Sequence, residues 1–117
     1  MSSVQQQMRK GTTTVMILKL LVDVDKPMYG YQIIRHLEER SNGYFEFKEG
    51  LVYPRLHQME REGFLRSRWL GETGTRRRKV YTVTEAGYRR LEEELAQWRS
   101  FSATLDHMLG IAPESAS

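Results

Sequence analysis

One segment of this 117-residue chain is apolar nearly all round and therefore has to be enclosed by the rest of the protein. Residues 12–22 open with threonines that can cap a helix and continue almost entirely in Val, Met, Ile and Leu. The run is too short for a membrane span, which needs about 18 apolar residues. It predicts a buried central helix, which ends at residues 23–27 because Pro27 has no amide donor and disfavours helical angles before it.

A second helix is predicted from near Tyr29 to residues 41–43, and its pattern is apolar on one side only. That side consists of Gly30, Ile33, Ile34 and Leu37, which follow helical spacing.

A third helix is predicted over residues 49–62, with Gly63 as its C-terminal stop. Val52, Leu56 and Met59 are spaced so that they face inward. The opposite face then mixes small, polar and basic groups, with Leu51 and Tyr53 at its margins. Its members are Gly50, Pro54, His57, Gln58 and Arg61.

A β-hairpin is predicted next, because β-branched and aromatic residues dominate residues 64–70 and 80–83 and a turn-prone stretch, residues 71–75, separates them. A run of four cations lies at its tip or in its second arm. These are Arg76, Arg77, Arg78 and Lys79. Strand alternation predicts that two of the four point one way and two the other, so that about half contact a ligand and the rest form surface ion pairs.

A long final helix is predicted over residues 85–109, with Thr84 as its cap. Its apolar residues fill six of seven consecutive heptad positions, and two more widen the stripe. The eight are Tyr88, Leu91, Leu95, Trp98, Phe101, Leu105, Met108 and Leu109. A helix outside the core with such a face needs a partner, and a symmetric copy of the chain is the commonest one, so we expect a homodimer.

The order helix, helix, helix, hairpin, helix predicts an α+β, mainly helical fold. This is a winged helix-turn-helix with a two-stranded β wing and a long C-terminal dimerisation helix. We assign residues 9–84 to the winged helix-turn-helix and 85–109 to the dimerisation helix. Residues 1–8 and 110–117 are expected to be flexible tails.

The charge distribution favours a nucleic-acid partner. Residues 1–83 carry 15 Lys and Arg against 9 Asp and Glu, whereas residues 84–117 carry 3 against 6. There is no cysteine, which excludes disulfides and thiolate-based zinc fingers. No signal segment or membrane span is apparent, so we expect a cytoplasmic protein.

Enzymatic function is not expected. The three histidines, His36, His57 and His107, fall on different predicted helices, and the sequence has neither a metalloprotease motif nor a phosphate-binding loop. No cofactor or metal is expected.

Several motifs in this order resemble the PadR family of bacterial transcriptional regulators, in its short branch that ends in a single long helix. The motifs are KGT at residues 10–12, YGYQI at 29–33, EGLVYPRL at 49–56, MEREG at 59–63 and RKVYTVTEAG at 78–87. Val52 stands where the family often has Leu or Ile. The resemblance covers residues 9–109 and implies a homodimeric repressor that binds an inverted-repeat operator, relieved in some members by small molecules.

The third helix is then expected to enter the major groove of the DNA, and the basic hairpin is expected to contact the phosphates of its backbone. The predicted DNA-binding residues are Lys10, Tyr31, Gly50, Tyr53, Pro54, His57, Gln58, Arg61, Arg76, Arg77, Arg78 and Lys79. Trp98 is the predicted contact for a small aromatic effector at the dimer interface.

Other interpretations of these residues stay open. In them Tyr53 and Pro54 serve packing, His57 and Gln58 are merely exposed, and the hairpin cations form a solvated face. Trp98 is then interface packing. The alternative for the whole chain is a winged-helix protein-interaction module that never touches DNA.

Overall fold

The computed structural model describes the backbone of residues 3–71 and 77–111, and the side chains of residues 11–71 and 77–111. Within these ranges it has four helices and one small antiparallel sheet, which confirms the predicted winged-helix fold class. In chain order the elements are α1 (Ser3–Val24), β1 (Met28–Tyr29), α2 (Gly30–Arg40), α3 (Glu49–Arg61), β2 (Leu65–Leu70), β3 (Arg78–Val83) and α4 (Glu85–Leu109).

Helix α1 is the centre of the core. Ile17, Leu18 and Leu20 are completely buried, and the helix touches α2, α3, α4 and β3. It begins at Ser3 rather than at residue 12, so the helix includes most of the segment, residues 1–8, that was expected to be a flexible tail. The physical reason is that the Gln-rich segment before Gly11 holds good helix formers, which extend a helix already nucleated by its apolar part.

The sheet has three strands where two were predicted. Strand β1 is only two residues long and pairs with β3, with Met28 opposite Tyr81 and Tyr29 opposite Val80. A strand this short shows no alternation that sequence inspection can detect, and its partner lies about fifty residues away. The strand order is β1-β3-β2.

The wing, which we define as β2, β3 and the loop between them, has a regular register from Leu65 opposite Val83 to Leu70 opposite Arg78. Strand β3 begins at Arg78, two residues earlier than predicted. Residues 72–76 lie outside the described part of the chain, and with them the predicted contact Arg76.

Helix α4 has the predicted bounds. The Thr84 hydroxyl accepts a hydrogen bond from the Gly87 amide at 3.1 Å and donates one to the Gly63 carbonyl at 2.6 Å. Gly110 ends the helix in the left-handed conformation, which glycine adopts without strain. Residues 112–117, part of the predicted C-terminal tail, lie outside the described residues.

Gly87 provides a test of how closely α4 packs on the wing. A Cβ at this position would lie 2.3 Å from the Phe64 carbonyl oxygen and 2.7 Å from Val83 Cγ1. We expect Gly87→Ala to lower the free energy of unfolding by about 2 kcal/mol, because the backbone has to shift to relieve the overlap. Gly50→Ala is the matched control, since a Cβ on Gly50 would meet no atom within 4 Å and alanine favours a helix. Denaturant unfolding at equal protein concentration measures both, and equal stability of the two variants would contradict the packing.

Candidate nucleic-acid interface

A groove of about 610 Å³ runs between α3 and the wing. It brings together six residues predicted from the sequence to bind DNA, which come from α2, α3 and the wing. These are Tyr31, Tyr53, His57, Arg77, Arg78 and Lys79. The remaining lining residues are Tyr29, Gly30, Glu49, Trp69 and Tyr81. The groove therefore combines cations with tyrosines.

The outward face of α3 has the predicted composition. Val52, Leu56 and Met59 are fully buried on the inner side. Gly50, Pro54, His57, Gln58 and Arg61 are exposed on the outer side. Pro54 lies in the second turn of the helix, and because proline has no amide hydrogen it donates nothing to the Gly50 carbonyl.

Tyr53 connects α3 to the start of α2. Its ring lies against Gly30 so closely that a Cβ on Gly30 would be 2.3 Å from Tyr53 Cε1 and 2.9 Å from its hydroxyl oxygen. Burial is the main cause that raises the pKa of Tyr53 above its ordinary value. Tyr53 therefore packs between two helices while still lining the groove.

The wing cations lie on different faces of the sheet. Opposed residues of an antiparallel pair share a face, so Lys79 lies on the face of Trp69, and Arg78 lies on the other face with Leu70. The predicted alternation along the strand is confirmed for these two residues.

The two arginines rest on aromatic rings. The Arg78 guanidinium carbon is 4.4 Å from the Tyr29 ring centroid, and that of Arg77 is 5.6 Å from the Trp69 centroid. Such cation–π contacts use the flat face of the guanidinium and leave its N–H donors at the edge available for another ligand.

Lys79 has a different environment. Its ammonium nitrogen is 3.1 Å from a carboxylate oxygen of Glu60 on α3. The Ser67 hydroxyl of β2 donates a hydrogen bond to the other oxygen. The Ser67 hydrogen bond, followed by the interaction with Lys79, lowers the pKa of Glu60. Glu60 is thus an ionised group that joins α3 to both strands of the wing.

The other predicted DNA contacts lie at the edges of this face. Tyr31 is half-exposed near the start of α2, and its hydroxyl accepts a hydrogen bond from Arg35 at 3.3 Å. Lys10 belongs to α1, and its side chain lies outside the described residues.

Sequence reasoning missed four residues of α3 and the wing. Trp69 is 56% exposed beside the groove, and Arg66 and Arg68 are exposed on the face of the sheet that carries Arg78. The alternation Arg-Ser-Arg at residues 66–68 was the available signal for the two arginines, since strand residues two apart share a face. The role of Glu60 could not be predicted from the sequence, because its partners lie on the wing and are identified only by the packing of the wing on α3.

A second groove, of about 520 Å³, lies between α1 and α4. The predicted effector contact Trp98 lines it and stacks on Phe101, with 5.7 Å between ring centroids. The other lining residues are Gly11, Thr12, Val15, Met16, Glu94, Leu95 and Gln97.

The predicted interface residues of α4 separate into two groups. Leu91 is buried, and Leu95 packs on the core of its own chain, so these two heptad positions are used within one protomer. The other six are exposed. They are Tyr88, Trp98, Phe101, Leu105, Met108 and Leu109.

The described part of the chain contains no cluster of three or more His, Cys, Asp or Glu residues that could hold a metal ion. Its helices, likewise, include none both long and apolar enough to cross a membrane. His36, His57 and His107 lie on α2, α3 and α4 respectively.

Comparison with known proteins agrees with this geometry. The model of the transcriptional regulator PadR-like family matches residues 17–93, which include all of α2, α3 and the wing. A PadR-like transcription factor from Bacteroides fragilis is 32% identical, over 92% of this chain and 99% of that one, with a TM-score of 0.76. A PadR family regulator from Clostridium difficile is 30% identical, over 83% and 97% of the two chains, with a TM-score of 0.69.

One similar structure contains nucleic acid. Bacillus subtilis PadR, solved in complex with operator DNA, is 28% identical, with a TM-score of 0.62. The similarity covers 70% of this chain and 45% of that one.

Proposed function

The chain belongs to the PadR-like family of transcriptional regulators, and we propose that it is a homodimeric repressor that binds an inverted-repeat operator. The observation that carries the proposal is the groove in which Tyr53 and His57 of α3 meet the wing arginines. In this proposal the winged helix-turn-helix comprises residues 9–84, and residues 85–109 form the dimerisation helix.

Helix α3 supplies sequence recognition. Base edges in the major groove present a donor and acceptor pattern that distinguishes the four base pairs. Gln58 and Arg61 are exposed on α3 and carry donors long enough to reach them, while His57 lies nearer the wing. Gly50 and Pro54 allow close approach of the backbone, because neither has a long side chain.

The wing supplies affinity that does not depend on sequence. Arg77 and Arg78 hold their positive charge on aromatic rings at the groove, and each phosphate they neutralise releases a counterion. The operator complex of Bacillus subtilis PadR supports DNA as the ligand of this chain.

Dimerisation is proposed through α4. Its six exposed large apolar side chains form a stripe that a monomer would leave in water, and a second copy of the chain offers the same stripe in return. Two paired chains present two α3 helices to half-sites about 10 bp apart, one turn of DNA.

An effector site is proposed in the groove between α1 and α4. Its aromatic wall, formed by Trp98 and Phe101, suits a planar aromatic molecule. A ligand seated between the dimerisation helix and the central helix releases the operator by changing the angle between the two DNA-binding units.

Substitutions at Arg77 and Gln58 separate the two kinds of DNA contact. We expect Arg77→Ala to weaken binding to all duplexes and to reduce the salt slope of log K by about 0.9, the value for one phosphate contact. Gln58→Ala should instead cost about 1–3 kcal/mol at one operator position and leave random DNA unaffected. Arg99→Ala, which removes an exposed arginine of α4 outside the groove, is the matched control.

Fluorescence anisotropy with operator and random duplexes across a salt series provides the measurement. DNA binding that is absent or independent of salt would favour the alternative, a protein-interaction module. An unchanged slope in Arg77→Ala would remove this arginine from the phosphate contacts.

The proposed dimer is tested by introducing charged residues into the exposed apolar stripe of α4. The double variant Leu105→Lys, Met108→Lys should sediment as a monomer, because two lysines cannot be buried against their symmetry mates. Operator affinity should fall at least about 100-fold when the half-sites are no longer bound together. Ala103→Lys, on the opposite side of α4, should leave the dimer intact. A double variant that still sediments as a dimer would refute the interface.

The effector site is tested with acridine orange, a planar cationic probe. In a Trp69→Phe background Trp98 is the remaining tryptophan of the chain, so probe binding should quench its fluorescence. Trp98→Leu should weaken probe binding at least about tenfold, measured by the fluorescence of the probe, because a stacking surface is lost. Equal probe affinity in the two proteins would argue that Trp98 is interface packing alone.

A further inference from the structure

Among the described residues, one carboxylate of α3, that of Glu60, contacts side chains on both strands of the wing. We propose that Glu60 is a positioning residue that fixes the wing relative to α3, and that Lys79 serves this linkage instead of binding phosphate. The inference rests on the proposed DNA-binding function and assigns a role within it to two residues of the same surface.

The geometry gives Glu60 a partner on each strand of the wing. One of its oxygens is 3.1 Å from Lys79 Nζ on β3, and the other accepts the hydroxyl hydrogen of Ser67 on β2. In the sheet register Ser67 lies opposite Tyr81 and Trp69 lies opposite Lys79, so both partners belong to the face that meets α3. A displacement of the wing from α3 breaks both contacts.

Lys79 is held more firmly than an ordinary surface lysine. Its side chain is only 30% exposed and that of Glu60 only 32%, which reduces screening of the pair by water. The ammonium group also lies 5.7 Å from the ring centroid of Tyr81. The contact with Glu60 therefore directs the ammonium group toward α3, whereas no salt bridge joins Arg77 or Arg78 to a carboxylate within the described part of the chain.

The spacing of α3 and the wing matters for specific binding above all. In an operator complex α3 has to contact base edges while the wing contacts phosphates. If the distance between α3 and the wing is wrong, one of these two sets of contacts is lost. Non-specific binding needs only positive charge near phosphates and tolerates the same error. Loss of the linkage should therefore lower the ratio of operator affinity to random-duplex affinity.

The test compares Lys79→Met and Glu60→Gln with Arg77→Met in the full-length protein, on an operator selected from random DNA by wild-type protein. We expect both linkage variants to lose about tenfold in operator affinity, as for one charge-assisted hydrogen bond, and to keep random-duplex affinity within about twofold. The salt slope should stay within about 0.3 of wild type, whereas Arg77→Met should lower it by about 0.9.

A charge-reversed pair is the decisive variant. Glu60→Lys with Lys79→Glu restores the ion pair in the opposite sense, so operator affinity should return to within about threefold of wild type. Ser67→Ala removes one contact without changing charge, and it should lower the operator-to-random ratio in the same direction by a smaller factor. Thermal unfolding of each variant verifies that it is folded.

One set of results would refute the Glu60–Lys79 linkage alone, and a different result would refute the proposed DNA-binding function. If Lys79→Met lowers the salt slope as much as Arg77→Met, or if the reversed pair binds operator worse than either single variant, Lys79 is a phosphate ligand and the proposal is wrong. Wild-type protein without salt-dependent DNA binding would instead overturn the proposed function, and this role with it.

Discussion

The burial of α1 is the constraint on which the other elements depend. Ile17, Leu18 and Leu20 are fully buried, and each contributes about 1.5–3 kcal/mol of hydrophobic free energy only when neighbours cover it. Because the helix is apolar nearly all round, it needs a different element on each side, and α2, α3, α4 and β3 provide them. The helix-turn-helix and the wing are thereby assembled around one axis, and the proposed interface for DNA lies on its periphery.

The strand register of the wing decides which group each of its cations contacts. Arg78 and Lys79 are adjacent in the chain, yet one lies on the ring of Tyr29 and the other pairs with Glu60. The first arrangement places a guanidinium against an aromatic ring, and the second engages the ammonium with a carboxylate of α3. We therefore propose that a run which looks uniform in composition contains both ligand-binding and positioning residues.

Much of the fold was predictable because it depends on local periodicity. The inward positions Val52, Leu56 and Met59 and the bounds of α4 follow from residue spacing and from a capping threonine. Strand β1 and the use of Leu91 within its own core were not predictable. Both depend on contacts between segments distant in the chain, for which no local pattern exists.

The sequence by itself determined the order and type of every described element except β1, the family, and which residues of α3 face outward, since these follow from the helical period and from motifs. Tertiary structure alone decided that Tyr53 lies on Gly30 and that Glu60 joins α3 to both wing strands. It also revealed the exposed Trp69 beside the groove. The physical reason is that side chains a few ångströms apart in space come from separate elements, and only the packing around α1 brings them together.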